Sequence, residues 1–564
     1  MLRRKFLVVI AAGVSVILFF SGLSAVRAQT PTQVALTGQV SSQAEGPLEG
    51  VLVSARKAGS TITVTVVSDP QGRYRFPRSK LGPGQYSLRI RAVGYVLNGS
   101  GSVEITPQQA VTADLKLSKA TDYQISSQIS NSEWLVSMPG TEEQKASIRR
   151  CTHCHTLERV VRSSYDAEGF LPVLERMANY PAESFPYRIQ IPTRGGRIGS
   201  GPSTPEREAR QQEIRRQQAE YLSTINLSRA PQWEYSFQIF PRPTGRATQV
   251  IFTEYDLPQR SNQPHDVVVD SHGMVWYASF GEAILGKLDP KTGKVTHYDM
   301  PVPKPGHVIG TLDLELDQDQ NLWIAQKMQG AIQRFDQKTE EFQTFRPPPE
   351  MDGDYREFSF VAPQNSHVDG KVWINDSGTY TQLRLDIATG KFEVFETSPI
   401  PRPNTYQIAS DSQNNGWFNV RGRAHIGRID AKTGEVKFYE TPTSRSGPRR
   451  GNMDSQDRFW FGENRASKVG MLDTRTGKFQ EWAVPVPEYW PYDVAPDKNG
   501  EAWAVTEFAD RVLRLDPQTG QFTAYLLPEK TNMRRAFVDN STTPVTFWVG
   551  GTHTASIVKL EPLD

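Results

Sequence analysis

Residues 457–485 read DRFWFGENRASKVGMLDTRTGKFQEWAVP. An apolar run carries Trp460, a short polar turn follows, and a second run reaches Asp473. The triplet Arg475-Thr476-Gly477 then turns the chain into a third run that ends at Pro485. Glycine in that triplet supplies the positive φ that a tight hairpin demands. The same unit recurs around Trp276, Trp323, Trp373, Trp417, Trp460, Trp503 and Trp548, at spacings of 47, 50, 44, 43, 43 and 45 residues. A period in this range, with four short strands per unit, predicts a seven-bladed β-propeller over residues 233–564. Outer strands run into Pro301, Pro347, Pro399, Pro442, Pro485 and Pro528, and a seventh copy, VIFTEYDLP, ends at Pro258 ahead of the first tryptophan. The final unit stops at SIVKLEPLD without an outer strand. Val250–Pro258 is therefore expected to pair into the last blade and close the ring.

These units resemble the virginiamycin B lyase family, the streptogramin lyases. The resemblance implies two glutamates holding Mg²⁺, a histidine as general base, and opening of a cyclic lactone by elimination. The base position falls eleven residues before each tryptophan, at His265, Leu312, Ala362, Tyr406, Arg449, Tyr492 and Phe537. Only the first blade has histidine there, and its metal positions are Gln263 and Ser279. The later glutamate is matched in the fifth blade alone, by Glu463, where Arg449 and Gly447 fill the other positions. Asp376 in the third blade also lacks a partner. His265 and Glu463 are thus weak catalytic candidates, Glu463 reads as a loop carboxylate pairing with Arg465 or Lys468, and Mg-dependent lactone opening is not expected. A mouth carrying His265, His307, Tyr406, Arg449, Arg450, Tyr492, Arg534 and Arg535 suits an anionic or glycan ligand, or simply a solvated rim.

Upstream, Leu36–Leu117 alternates apolar and polar residues between turns such as Asp69-Pro70-Gln71-Gly72, which predicts a small β-sandwich over 34–117. Its "TGQV", "GVLVSA", "D-x-x-G-x-Y-x-F" and "G-x-Y-x-L" elements resemble the carboxypeptidase regulatory-like domain, which implies an accessory module. Residues 118–140 read as a polar linker. Met1–Ala28 has a basic start, an apolar run and a small-residue end, an export signal that would place the protein in the periplasm or elsewhere outside the cytoplasm. An uncleaved anchor is the alternative, and no later stretch is long and apolar enough to span a bilayer.

Residues 141–227 change to helical patterning. Thr141-Glu142-Glu143-Gln144 fits a capping box, and Thr204-Pro205 fits a helix start. Within this stretch lies Cys151-Thr152-His153-Cys154-His155, which holds both cysteines of the chain. C-x-x-C-H is the pattern of covalent haem c attachment: two thiols one turn apart reach two vinyl groups, and the following histidine ligates the iron. Zinc would need two more ligands, and a redox disulfide would expect a βαβ setting. The stretch resembles a monohaem cytochrome c domain, and the resemblance implies Met177 as distal ligand, with Met138 or an open site as rivals. His153 is expected to point away from the iron, and Arg188, Arg194 and Arg197 are candidates to pair haem propionates.

The 564 residues carry 64 basic and 62 acidic side chains, a net +2. That balance argues against a nucleic-acid protein, which would show a basic excess. The expected function is haem-mediated electron transfer to a periplasmic redox partner, coupled to a binding propeller. A Mg-dependent carbon–oxygen lyase and a carbohydrate-binding scaffold are the alternatives.

Overall fold

The computed structural model describes residues 34–193, 204–228, 230–352, 356–397 and 404–564. The export signal at 1–28, Arg194, Arg197 and Pro399 lie outside the described residues. The protein is mainly β and multidomain, with a propeller-like ring, an N-terminal sandwich and a helical stretch between them.

The ring begins with six four-stranded antiparallel sheets in chain order. In the fifth, Pro448–Met453, Arg458–Glu463, Lys468–Asp473 and Lys478–Ala483 run from the axis outward. The inner strands pack one against the next, and Pro264–Val269 of the first sheet meets Thr546–Gly551 of the last. The last sheet holds Phe537–Asp539, Thr546–Gly551 and Ser556–Pro562, and Val250–Asp256 supplies its fourth strand, in register from Val250↔Pro562 to Asp256↔Ser556. The N-terminal copy of the outer strand thus closes a ring of seven sheets, as its repeat predicts.

Most of the repeat tryptophans are fixed by chemistry as well as packing. The indole N–H donates to the aspartate six residues earlier in five sheets: Trp276 to Asp270 at 2.8 Å, Trp323 to Asp317 at 2.9 Å, Trp417 to Asp411 at 2.8 Å, Trp460 to Asp454 at 2.9 Å and Trp503 to Asp497 at 3.0 Å. A buried indole needs such a partner. The aspartate that makes the turn therefore also anchors the core. Gly477 in the outer hairpin has φ 71°, the conformation the triplet requires.

The sandwich shares a sheet with the ring. Its strand Ile62–Val67 pairs with the free edge of Val250–Asp256, Ile251 facing Val66 and Tyr255 facing Ile62. One eight-stranded sheet therefore runs from the last blade through the clasp strand into Ile62–Val67, Leu52–Lys57, Gly84–Arg91 and Ser102–Ile105. An open strand edge seeks a partner, and the sandwich covers this one.

Helices occupy Asp122–Ile125, Asn131–Ser137, Glu142–Arg149, Glu158–Val161, Ala167–Ala178 and Pro205–Ile225. The expected linker at 118–140 is corrected: Asn131–Ser137 is a buried helix whose Trp134 is fully enclosed. Ser130 and Glu133 form its capping box, a signal the polar composition obscured. This helix docks on the ring, with Ser132 N–H donating to the Phe508 carbonyl at 2.9 Å and Ser132 Oγ to that of Glu488 at 2.6 Å. No helix among the described residues is long and apolar enough to cross a membrane.

Candidate functional site

Helix Glu142–Arg149 tightens into a 3₁₀ turn over Arg150–His153, and the N–H groups of Cys154 and His155 both reach the Cys151 carbonyl, at 3.4 and 3.3 Å. That turn gathers both thiols and the His155 ring on one wall. Cys151, Cys154, His155 and Met177 line a single cavity of about 560 Å³. The cysteines are free, and burial pushes both thiols up to about 11. His155 Nδ1 lies 3.0 Å from the Thr156 carbonyl, which can only accept, so Nδ1 carries the proton and Nε2 keeps its lone pair. Burial also lowers the His155 pKa. Met177 is 40% exposed on the cavity wall, whereas Met138 is 1% exposed in the apolar core around Trp134. Arg150, Arg159, Arg176 and Arg215 line the same cavity. Arg188 instead reaches Glu282, at 3.6 Å.

The C-x-x-C-H segment also roofs the mouth of the ring. His153 faces Arg534, Glu507 and Arg449, and burial, with Arg534 next in effect, lowers it to about 3. Asn532 Nδ2 donates to the Thr152 carbonyl at 3.4 Å, Lys530 pairs with Glu158, and Phe185 stacks on His553 at 6.5 Å. Gln190 Nε2 donates to the Ile309 carbonyl at 2.8 Å, and Lys327 pairs with Glu183 at 3.1 Å.

Beneath that roof His265 sits at the start of its inner strand, stacked on Phe280 at 5.0 Å. His265 Nδ1 lies 2.6 Å from Asp266 Oδ1. Burial opposes ionisation of Asp266, yet the Arg450 guanidinium keeps its carboxyl well below the usual range. Asp266 therefore accepts, His265 Nδ1 donates, and burial lowers the imidazole to about 4. Its Nε2 is buried without a hydrogen-bond partner among the described residues. Gln263 and Ser279 flank it, the Gln263 N–H donating to Ser279 Oγ at 3.2 Å and Ser279 Oγ to Glu282 at 2.9 Å.

The sequence reading placed Arg450 and Arg535 at the mouth, but they lie on the ring axis. Arg450 is fully buried and pairs with Asp266 at 3.0 Å and Asp313 at 2.7 Å, with Asp493 at 3.8 Å. Arg535 meets Glu315 at 2.5 Å. The aspartates were overlooked, although a signal was present: Asp266, Asp313, Arg450 and Asp493 each stand ten residues before their tryptophan.

Glu463 is also corrected. It is buried at the end of its strand, and Lys468 pairs at 2.7 Å with Glu481 instead. Burial, with Glu481 nearby, raises Glu463 to about 8. Asp376 pairs with Arg356 at 2.7 Å. Among the described residues no three His, Cys, Asp or Glu side chains are grouped to hold a metal ion. An amide and a hydroxyl at the two expected positions do not fit Mg²⁺, which asks for carboxylate oxygens.

Residues 310–560 match the virginiamycin B lyase family, and residues 35–118 match the carboxypeptidase regulatory-like domain. No curated protein matches the chain. Among solved structures, virginiamycin B lyase from Staphylococcus aureus is 22% identical over 55% of this chain and 99% of its own, with a TM-score of 0.48. A catalytically inactive variant of that enzyme with quinupristin gives 21%, 55%, 99% and 0.48. A streptogramin B lyase gives 20%, 57%, 100% and 0.49. The family match takes in Glu463 and leaves the first sheet, with His265, outside it. The expectation of a cytochrome whose function is electron transfer is overturned: neither family match falls on residues 141–227, and what the chain matches is the virginiamycin B lyase family over 310–560 and the carboxypeptidase regulatory-like domain over 35–118.

Proposed function

We propose that the ring is a carbon–oxygen lyase of the virginiamycin B lyase type, acting on an ester or lactone. The family match over 310–560 carries this reading. The residue suited to start the reaction is His265. Its imidazole is neutral near pH 7, its Nδ1–H is held by Asp266, and its Nε2 is free to take a proton from carbon. As that C–H bond breaks, its electron pair forms the new C=C bond, the C–O bond breaks, and the ester oxygen leaves as a carboxylate. The proton then passes from Nε2 to solvent. No step is routed through Mg²⁺, because the side chains at those positions do not fit it.

The test is opening of quinupristin, the ligand named with the Staphylococcus enzyme variant, followed by mass spectrometry with and without chelator. Opening that survives chelator and disappears in His265→Gln is expected. Chelator-sensitive opening, opening unchanged in His265→Gln, or no opening in the folded wild type would each overturn the reading.

A second proposal concerns the cofactor. The cavity that gathers Cys151, Cys154, His155 and Met177 supports one covalent haem c, which both cysteines would hold through thioethers and which His155 and Met177 would ligate. The free Nε2 of His155, with Nδ1 tied to a backbone carbonyl, is the arrangement ligating histidines adopt. A bound haem supplies an iron centre whose potential the Met177 thioether raises. Arg150, Arg159, Arg176 and Arg215 line the cavity as partners for propionates, while Arg188 is drawn to Glu282. Because thioether attachment takes place outside the cytoplasm, this proposal goes with export through residues 1–28. Haem retained through acid-acetone extraction in the wild type and lost in Cys151→Ala/Cys154→Ala is the expected result.

A further inference from the structure

We infer that Arg421, Arg449 and Arg534 form a carboxylate-binding site at the mouth of the ring, set on the paired tyrosines Tyr406 and Tyr492. The two phenol hydroxyls bond to each other, and the rings meet edge to face at 6.2 Å. The Arg449 guanidinium lies 4.1 Å over the Tyr492 ring and 5.1 Å over that of Tyr406. Arg534 covers Tyr492 at 5.3 Å, and Arg421 covers Tyr406 at 5.6 Å. One carboxylate serves two of them: Glu507 reaches Arg449 at 3.3 Å and Arg534 at 3.6 Å. Among the described residues no carboxylate lies within ion-pair distance of Arg421, and the buried Arg449 Nε has no hydrogen-bond partner.

The axial arginines form the contrast. Arg450 has three aspartates about it and Arg535 has Glu315, so their charge is met inside the protein. At the mouth three guanidiniums cluster about one carboxylate that pairs with only two of them, and the surplus positive charge is felt by its neighbours. Burial pushes the Tyr492 phenol upward, yet Arg449 and Arg534 carry it below its ordinary value. Arg449, with burial, brings Arg421 down to about 10. A second carboxylate would relieve both, and a planar guanidinium matches its two oxygens. Tyr406 and Arg421 are half-buried, which makes theirs the side open to an incoming anion.

This inference rests on the lyase reading for its substrate: elimination from an ester releases a carboxylate, and fixed cations where that charge develops stabilise the transition state. A propionate of a haem attached at Cys151 and Cys154 has the same chemistry, and His153 of that motif borders Arg534 and Glu507.

The experiment uses succinate as probe on the full-length protein at constant ionic strength, reading the thermal midpoint. No lactone opening is measured, so the result is independent of turnover. A saturable rise in the haem-loaded wild type identifies a free carboxylate as the occupant. A rise confined to Cys151→Ala/Cys154→Ala identifies a propionate as the occupant in the loaded protein. In either case Arg421→Gln should weaken the response at least tenfold, and Arg421→Lys, which keeps the charge without the fork, should weaken it several-fold. No saturable rise in any form, or equal responses in wild type, Arg421→Gln and Arg421→Lys, would overturn the site.

Discussion

Arg450 shows how one residue can govern both the ring and its proposed base. Its side chain joins inner strands of the first, second and sixth sheets to its own. It also keeps Asp266 ionised, and Asp266 in turn holds His265 in the tautomer that leaves Nε2 free. Removing the cation strands carboxylates in a buried place, which costs about 3–5 kcal/mol. Arg450→Met should therefore lower the unfolding free energy read from urea titration by that amount, and its midpoint with it, and adding Asp313→Asn should recover part of the loss. An equal midpoint in Arg450→Met and wild type would contradict the assignment. At this scale the sequence was half legible. The position eleven residues before each tryptophan was read, and the next one was not, because Asp266, Asp313 and Asp493 look like ordinary turn aspartates until strand alternation turns them toward one arginine. Cys151, Cys154 and His155 were legible together because they share a single turn, whereas Met177 came from a resemblance alone. The pairing of His153 with the ring needed two distant segments to meet.

Among the elements, Val250–Asp256 repays the closest reading. Its role as outer strand followed from the repeat, since VIFTEYDLP ends in proline like the other six copies. Its second edge, on Ile62–Val67, was not readable, because an alternating strand advertises no particular partner. Glu254 lies buried in this strand and accepts from Ser556 Oγ at 2.8 Å. Burial, with Glu529 adding repulsion, raises its pKa from 4.5 to about 7. The folded state thus holds this proton more tightly than the unfolded chain does. The stabilisation is complete below pH 4.5 and is lost as pH rises from there through 7. Glu254→Gln mimics the protonated form, so it should match the wild type near pH 4 and exceed it at pH 9 by on the order of 3 kcal/mol. Parallel pH profiles for the two proteins would show that Glu254 does not titrate with folding.

For the whole molecule, the eight-stranded sheet joins the last blade to the sandwich, so ring and sandwich should unfold as one. A ring alone would leave Val250–Asp256 as an open edge, and a sandwich alone would do the same for Ile62–Val67. Side chains reinforce the joint. Arg91 of the sandwich donates to the Leu527 carbonyl at 2.7 Å and pairs at 2.7 Å with Asp510, whose side chain is 1% exposed in the ring. Asp510 also accepts from the Thr531 N–H at 3.0 Å, which holds the loop leading to Arg534. The ring carries the seven repeat tryptophans and residues 34–117 carry none, so tryptophan fluorescence reports on ring and helices rather than on the sandwich. Arg91→Met changes only the sandwich's own sequence, yet it leaves the Asp510 carboxylate buried without its cation, at a cost of about 3 kcal/mol. The expected result is a tryptophan-detected midpoint lowered together with the midpoint of hydrogen exchange in Ile62–Val67, the two transitions staying coincident as two-state behaviour requires. If Arg91→Met lowers the sandwich transition while the tryptophan transition stays put, the two units are independent and the shared sheet is only a contact. Coincident transitions would make the sandwich part of the ring's closure, in which case its loss should also cost the mouth its Arg534 loop.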